Sequence, residues 1–291
     1  MLQQKGYQYR IYPTKQQQQL INQTLGCARF VYNRFLNIRK EAWTNSKTSV
    51  TYKQTSKMLT ELKCEPDYVW LKAVDSTSLQ QALKDLDKGF KNFFAKKAGY
   101  PRYKSKHNHC LSYRSQCVNN NIAITNGKLQ LPKIGLVKIK LSRNFTGRIL
   151  NVTVSRKATG KYFVSLCVEE EVEIFPNNGG EIGIDVGIKD FYSDSNGDVA
   201  ANPKTLKKYS KKLAREQRKL SRKVKGGNNR NKQRSIVARI HEKIANIRKD
   251  YLNKVSTRLV KENQLIGIED LQVGNMLKNH KLAQAISDAS W

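Results

Sequence analysis

Apolar residues recur along this chain with two different periods, one strand-like and one helix-like. Tyr7 to Tyr12 alternates, then runs into Pro13-Thr14-Lys15-Gln16-Gln17, where Thr14 as N-cap and Gln17 three residues on form a capping box. A strand handing over to a helix is therefore predicted. Ile21, Leu25, Ala28, Tyr32 and Phe35 follow at spacings of a single helical stripe that reaches toward Trp43. Leu79, Leu83, Leu86, Phe90 and Phe93 set a second strong helix beginning near Ser76, so residues 14–98 are expected to be mainly helical. After Gly99 the period shortens. Residues 111–115, 128–131, 137–141, 151–155 and 162–168 are short alternating segments, and Asn126-Gly127 is a hairpin signal. They predict a small antiparallel sheet or barrel. The strand at residues 7–12 is expected to join it, since alone it would keep both edges unpaired. The helical block then becomes an insertion in a β domain.

Residues 176–180, Pro-Asn-Asn-Gly-Gly, read as a linker, and a new pattern opens behind them. Residues 182–187 read as a buried strand carrying Asp185, with residues 191–193 and 199–201 as neighbouring strands. Two basic helices come next. Leu206, Tyr209, Leu213, Leu220 and Val224 form one stripe, residues 226–229 break it, and Ile236, Ile240, Ile244, Ile247, Tyr251, Val255 and Leu259 form another. Residues 265–270 are a second apolar strand, ending in Glu269 and Asp270.

Charge changes the picture. The chain has 291 residues, 54 Lys plus Arg against 23 Asp plus Glu, a net charge of +31 and a pI near 10.0. A polyanion would neutralise that excess and release its own counterions, which makes nucleic acid the leading partner. An anionic membrane surface competes, but hydrophobic residues are 38% of the chain and no run approaches the roughly 20 apolar residues of a spanning helix. Met1 to Lys5 carry no apolar signal core, so a cytoplasmic protein is expected. Residues 204–258 hold 20 Lys plus Arg and 3 Asp plus Glu. A solvated helical pair usually mixes its signs, whereas this one is nearly all positive. Lys207, Lys211, Arg215, Arg218 and Arg222 are its candidate nucleic-acid contacts.

The five cysteines, Cys27, Cys64, Cys110, Cys117 and Cys167, are odd in number and scattered, which reads as reduced thiols. No Cys-x-x-Cys pair occurs, so no zinc ribbon is expected in this sequence. His107, His109, Cys110 and Cys117 fit no common metal spacing and read as polar loop residues.

Asp185 and Glu269 lie 84 residues apart in two matching apolar strands. If those strands are neighbours, the carboxylates can share Mg²⁺, which takes oxygen ligands, and serve phosphodiester hydrolysis. The alternative is that each carboxylate merely caps a neighbouring helix or loop.

Residues 183–190, Gly-Ile-Asp-Val-Gly-Ile-Lys-Asp, and residues 268–271, Ile-Glu-Asp-Leu, resemble the first two catalytic motifs of the RuvC-like nuclease domain in TnpB (OrfB) proteins, transposon-encoded relatives of the Cas12 effectors. Residues 9–14, 26–33, 100–105 and 154–156 are similar to that family's other motifs, in order, so the resemblance covers the whole chain. It implies an α+β multidomain fold. A wedge-type β-barrel (residues 1–13 and 99–175) would be interrupted by a helical recognition bundle (14–98). After a linker (176–180), an incomplete RuvC-like, ribonuclease-H-like α/β domain (181–291) would follow. It also implies guide RNA and double-stranded target DNA as partners, with base pairing supplying sequence specificity. Asp185 and Glu269 would take the places of the first two catalytic, metal-binding acids. Arg102 and Lys104, in the motif at residues 100–105, join the nucleic-acid-binding candidates. Gln80, Gln81 and Lys84 are candidates for reading a short adjacent DNA motif, because amides can pair with adenine edges and Lys with guanine or phosphate. Family members continue past the Ser-Asp-Ala-Ser-Trp stretch with a helix, a zinc ribbon and a third catalytic Asp, whereas this sequence ends at Trp291. Asp288 precedes that acid's expected place and is not assigned to it. RNA-guided DNA binding with cleavage lost is therefore the first expectation, an RNA-guided endonuclease the second, and a decayed remnant with residual RNA binding the third.

Overall fold

The computed structural model describes residues 1–107, 110–173 and 179–290. It is a mixed α/β protein that divides into two compact units, Met1–Glu173 and Ile174–Trp291. His109, most of the linker (residues 176–178) and Trp291 lie outside the described residues, as does the side chain of Cys110.

The first unit is a seven-stranded antiparallel sheet covered by helices. Its strands are β1 (Leu2–Tyr12), β2 (Cys110–Gln116), β3 (Ala123–Thr125), β4 (Lys128–Leu131), β5 (Gly135–Lys140), β6 (Arg148–Lys157) and β7 (Tyr162–Glu171), in the order β2-β6-β7-β1-β5-β4-β3. β1 starts five residues earlier than the alternation indicates and sits between β7 and β5, pairing from Leu2↔Glu171 to Ile11↔Tyr162 and from Arg10↔Lys140 to Tyr12↔Lys138. The ends of this order, β2 and β3, remain edges, so the expected barrel stays an open half-barrel. The β3–β4 turn uses Asn126 and Gly127, both with positive φ (50° and 68°), the geometry of a tight two-residue hairpin.

Three helices and a 3-10 turn lie between β1 and β2: α1 (Lys15–Ser46), α2 (Tyr52–Leu62), the turn Pro66–Ala73, and α3 (Ser76–Phe94). The Thr14–Gln17 capping box forms as read, and a second one, Thr51–Gln54, starts α2. Ile21, Leu25, Ala28, Tyr32 and Phe35 are all buried, and with Leu79, Leu83 and Leu86 they share one core with Val152, Val154, Val164 and Leu166 of the sheet. Deleting one such leucine costs about 2–5 kcal/mol. Asp75 fastens α3 to the sheet. It caps the Thr77 and Ser78 amides at 3.1 Å and accepts from Ser115 Oγ of β2 at 2.6 Å.

The second unit has a four-stranded sheet in the order β10-β9-β8-β11, from β8 (Glu181–Val186), β9 (Asp190–Asp194), β10 (Val199–Ala201) and β11 (Leu265–Ile268). β8 runs antiparallel to β9 and parallel to β11. Between β10 and β11 stand α4 (Thr205–Ser221) and α5 (Asn228–Glu262), and α6 (Val273–Met276) and α7 (Ala283–Ala289) come last. The 35-residue α5 serves two partners in succession. Val237, Ile240 and Ile244 pack on Leu213 of α4, whereas Tyr251, Leu252, Val255 and Leu259 pack on Ile182, Ile184, Phe191 and Tyr192 of the sheet. Three details differ from the sequence reading. Val237, not Ile236, enters the hairpin core, and Val224 lies in the exposed turn instead of extending the α4 stripe. α5 also begins at Asn228, inside the expected break, since Gly226 with φ +88° already makes the reversal.

Candidate functional site

Parallel pairing of β8 with β11 sets Gly183 beside Gly267 and Ile184 beside Ile268. One residue further, Asp185 and Glu269 leave adjacent strands at the same sheet end, about 4.8 Å being the usual strand separation. The condition for a shared site, that these strands be neighbours, is therefore met. Their predicted burial does not. β8 alternates, with Ile182 and Ile184 facing the α5 core and Asp185 exposed, while β11 is an edge strand with Ile268 72% exposed and Glu269 open to solvent. Neither carboxylate carries the desolvation penalty that a buried strand would impose. The loop after Asp185 is held closely. Asn202 Nδ2 donates to Ile188 O at 2.9 Å, and a Cβ on Gly187 would lie 2.9 Å from Asp190 O. Among the described residues no three His, Cys, Asp or Glu side chains gather to hold an ion by themselves. A pair of hard oxygen donors still fits Mg²⁺, which is commonly held by one or two carboxylates, with water and phosphate oxygens completing its shell.

The basic hairpin is built from the residues the sequence pattern indicates. Leu206, Tyr209, Leu213 and Leu220 turn toward α5, and Lys207, Lys211, Arg215, Arg218 and Arg222 are all exposed on the other face of α4. Arg215 and Lys219 bond Glu216 at 3.2 and 3.0 Å, and Gln233 of α5 donates to the same carboxylate at 2.8 Å. The Gln233 hydrogen bond, then that of Lys219, holds the Glu216 carboxyl at about 2. This acid inside a positive field locks the two helices together.

Asp288 of α7 supplies the other lock. It is 5% exposed and accepts from the Leu206 and Lys207 amides at 2.6 and 2.9 Å and from Arg248 of α5 at 3.0 Å. The N-cap residue of α4, Lys204, has φ 41° and makes no side-chain cap, so Asp288 performs that task from a distant part of the chain. The Ser-Asp-Ala-Ser-Trp stretch thus contains a structural carboxylate, invisible to local reading because the amides it caps lie more than 80 residues away and Arg248 lies 40 away.

In the helical block, Gln80 and Lys84 are exposed on α3, but Gln81 is 3% exposed. Gln81 is therefore withdrawn as a base-reading residue. α3 is covered by α1, α2 and β2 together, so burial extends beyond its main apolar stripe. Lys84 Nζ lies 6.0 Å from the Tyr52 ring centre. Arg102 is exposed. Lys104 is strapped to α1, its main chain bracketed by Asn33 through bonds of 2.8 and 2.9 Å and its ammonium 4.1 Å from the Tyr32 ring centre. Desolvation of the ammonium against its neighbours lowers its pKa, although the residue as a whole stays exposed. The bracket joins the motifs at residues 26–33 and 100–105, a role that spacing along the chain cannot reveal. No described helix is long and apolar enough to cross a membrane.

Comparison with known proteins agrees with this architecture. Residues 165–280 match a family model described as "Probable transposase" (OrfB_IS605), and residues 1–48 match its "Helix-turn-helix domain" companion. A Streptomyces pristinaespiralis protein named "Putative RNA-guided DNA endonuclease" is 43% identical over 99% of this chain and 72% of its own length. Escherichia coli K12 "Putative RNA-guided DNA endonuclease InsQ" is 38% identical over 94% of this chain and 68% of its own. A chain solved in a "Cas12f1-sgRNA-target DNA complex" superposes with a TM-score of 0.57 at 10% identity, covering 99% of this chain and 86% of that one, which is a likeness of fold. On the strength of these two relatives, the chain belongs to the TnpB (OrfB) family.

Proposed function

We propose that this protein binds a guide RNA and, through it, a complementary double-stranded DNA target. The observation that carries the reading is the α4 face, where Lys207, Lys211, Arg215, Arg218 and Arg222 stand exposed while the one acid of that helix, Glu216, is turned into the hairpin and neutralised. Such a face tracks phosphates without reading bases, which leaves sequence choice to pairing with the guide. The names of its relatives and the complex in which the matching fold was solved support the same reading. The finer architecture proposed with it is a wedge-type half-barrel carrying an inserted helical recognition bundle, followed by a RuvC-like domain.

A second reading, RNA-guided cleavage, is favoured by one observation, the convergence of Asp185 and Glu269 at one end of the β8–β11 pair. Mg²⁺ bound there would activate water and stabilise the leaving oxygen of a phosphodiester. Asp185 and Glu269 would hold it, with Gly187 and Asn202 keeping the Asp185 loop in place. Five exposed cations on one helix face support binding, whereas a single pair of carboxylates supports cutting, so binding is the first reading and cutting the second. The test is to isolate the protein from its native cells, sequence the RNA that accompanies it, and incubate the complex with matched DNA and Mg²⁺. A defined RNA, retention of matched DNA and no cutting is the expected result. Cutting that Asp185→Ala abolishes would put the second reading first, and recovery of well-behaved protein free of nucleic acid at low salt would overturn both.

A further inference from the structure

A cavity of about 590 Å³ opens in the helical block, where the end of α1, the loop before α2 and the last turns of α3 meet. Its size is that of a pocket for a small organic ligand. Aromatic rings form its walls. Trp43, Phe94 and Tyr100 are 58%, 72% and 44% exposed, a large cost to leave in water. They are backed by other rings: Phe94 stacks on Phe90 at 6.3 Å, and Tyr100 stands edge-on to Phe90 and Phe93 at 5.6 and 5.3 Å.

The charge around these rings is positive. Arg39, Lys53 and Lys91 line the cavity against a single acid, Asp87, which Arg39 and Lys91 already hold at 3.1 Å each. Lys47 Nζ lies 5.9 Å from the Trp43 ring centre. The Arg39 side chain is 7% exposed, stacks 5.2 Å from Phe90, and its Nε has no hydrogen-bond partner. An apolar protein segment would cover the rings but leave the charges of Lys53 and Lys47 unanswered. A nucleotide answers both, its base stacking on exposed rings and its phosphate meeting the lysines.

We propose that this cavity is a stacking site for an unpaired nucleobase, in single-stranded RNA or DNA, independent of base identity. The site rests on the nucleic-acid reading above and adds to it a contact in the helical block that base pairing cannot satisfy. Stacking on ring faces tolerates any base, so it suits a flipped or single-stranded nucleotide rather than duplex.

The experiment uses the full chain, stripped of its own nucleic acid in high salt and titrated at moderate salt with an unstructured RNA of about 12 nucleotides carrying 4-thiouridine, a length typical of single-strand sites. Irradiation should place crosslinks within residues 39–53 or 90–100. Trp43→Ala and Phe94→Ala, both at exposed positions, should each weaken binding of that RNA roughly 5- to 100-fold without changing its salt slope, since no phosphate contact is removed. Crosslinks confined to residues 204–258, with both variants binding normally, would overturn the cavity while leaving the nucleic-acid reading intact. No binding by the unaltered chain would overturn both. If the two variants instead abolish self-association in sedimentation and leave RNA affinity unchanged, the cavity is a surface between copies and the proposal fails.

Discussion

Replacing Asp288 should loosen the basic hairpin although the residue lies outside it. The carboxylate accepts two α4 amide bonds and pairs with Arg248, whose own Nε has no partner. Loss of a helix cap costs about 1 kcal/mol. Removing one member of a buried ion pair costs about 3–5 kcal/mol, but the Arg248 side chain is 20% exposed and water will relieve part of that. About 3 kcal/mol together is expected for Asp288→Ala, and about half of that for Asp288→Asn, which keeps an acceptor for the amides. Hydrogen exchange reads the effect locally. The Leu206 and Lys207 amides should exchange about 100-fold faster in Asp288→Ala, while the Leu79 and Leu83 amides of the other unit stay protected. Exchange at Leu206 and Lys207 within about twofold of the parent would refute the assignment of Asp288 as the cap of α4.

Glu216 should give the hairpin an acid-sensitive limb. Its folded pKa of about 2 lies below the ordinary 4.5, so its stabilisation is complete above 4.5 and is lost as pH falls toward 2. Glu216→Gln should flatten that limb in a helix-signal titration, and an unchanged limb would contradict the Glu216–Gln233 lock. Burial pushes the Cys27 thiol up to about 11, whereas Cys64 is exposed. Iodoacetamide at about pH 8 should therefore label Cys64 and spare Cys27 until denaturant is added, as mass spectrometry will show. Asp185→Ala should leave RNA and DNA affinity within about twofold, because removal of an exposed carboxylate breaks no phosphate contact. A tenfold loss would mean that Asp185 shapes the binding surface.

What was legible in the sequence is what local chemistry decides. Thr14 and Gln17 announce their capping box within four residues, Asn126-Gly127 makes its own turn, and the stripe from Ile21 to Phe35 is buried along its length. That β1 joins the sheet followed from the cost of unpaired edges, whereas its central place between β7 and β5 did not. Misreadings occur where the answer depends on what covers a residue. The apolar run at residues 182–187 reads as buried on both faces, yet α5 covers only the Ile182–Ile184 face. Gln81 reads as exposed because it lies off the leucine stripe, yet α3 has neighbours on several sides. The open edges of the half-barrel depend on the register of β2 and β3, which no pattern encodes. Asp288 and Asn33 act on backbone far along the chain and carry no periodic signal.

The central claim is that the basic α4 face holds nucleic acid while pairing with a guide selects the target. The most direct measurement compares the affinity of the RNA-loaded protein for duplex DNA matched to its RNA with that for a scrambled duplex, as salt is varied. The account predicts retention of the matched duplex only. Neutralising Lys207, Lys211, Arg215, Arg218 and Arg222 together should weaken binding and reduce the salt slope by about one unit per lost phosphate contact. Equal affinity for matched and scrambled DNA, or a salt slope unmoved by those five substitutions, would contradict it.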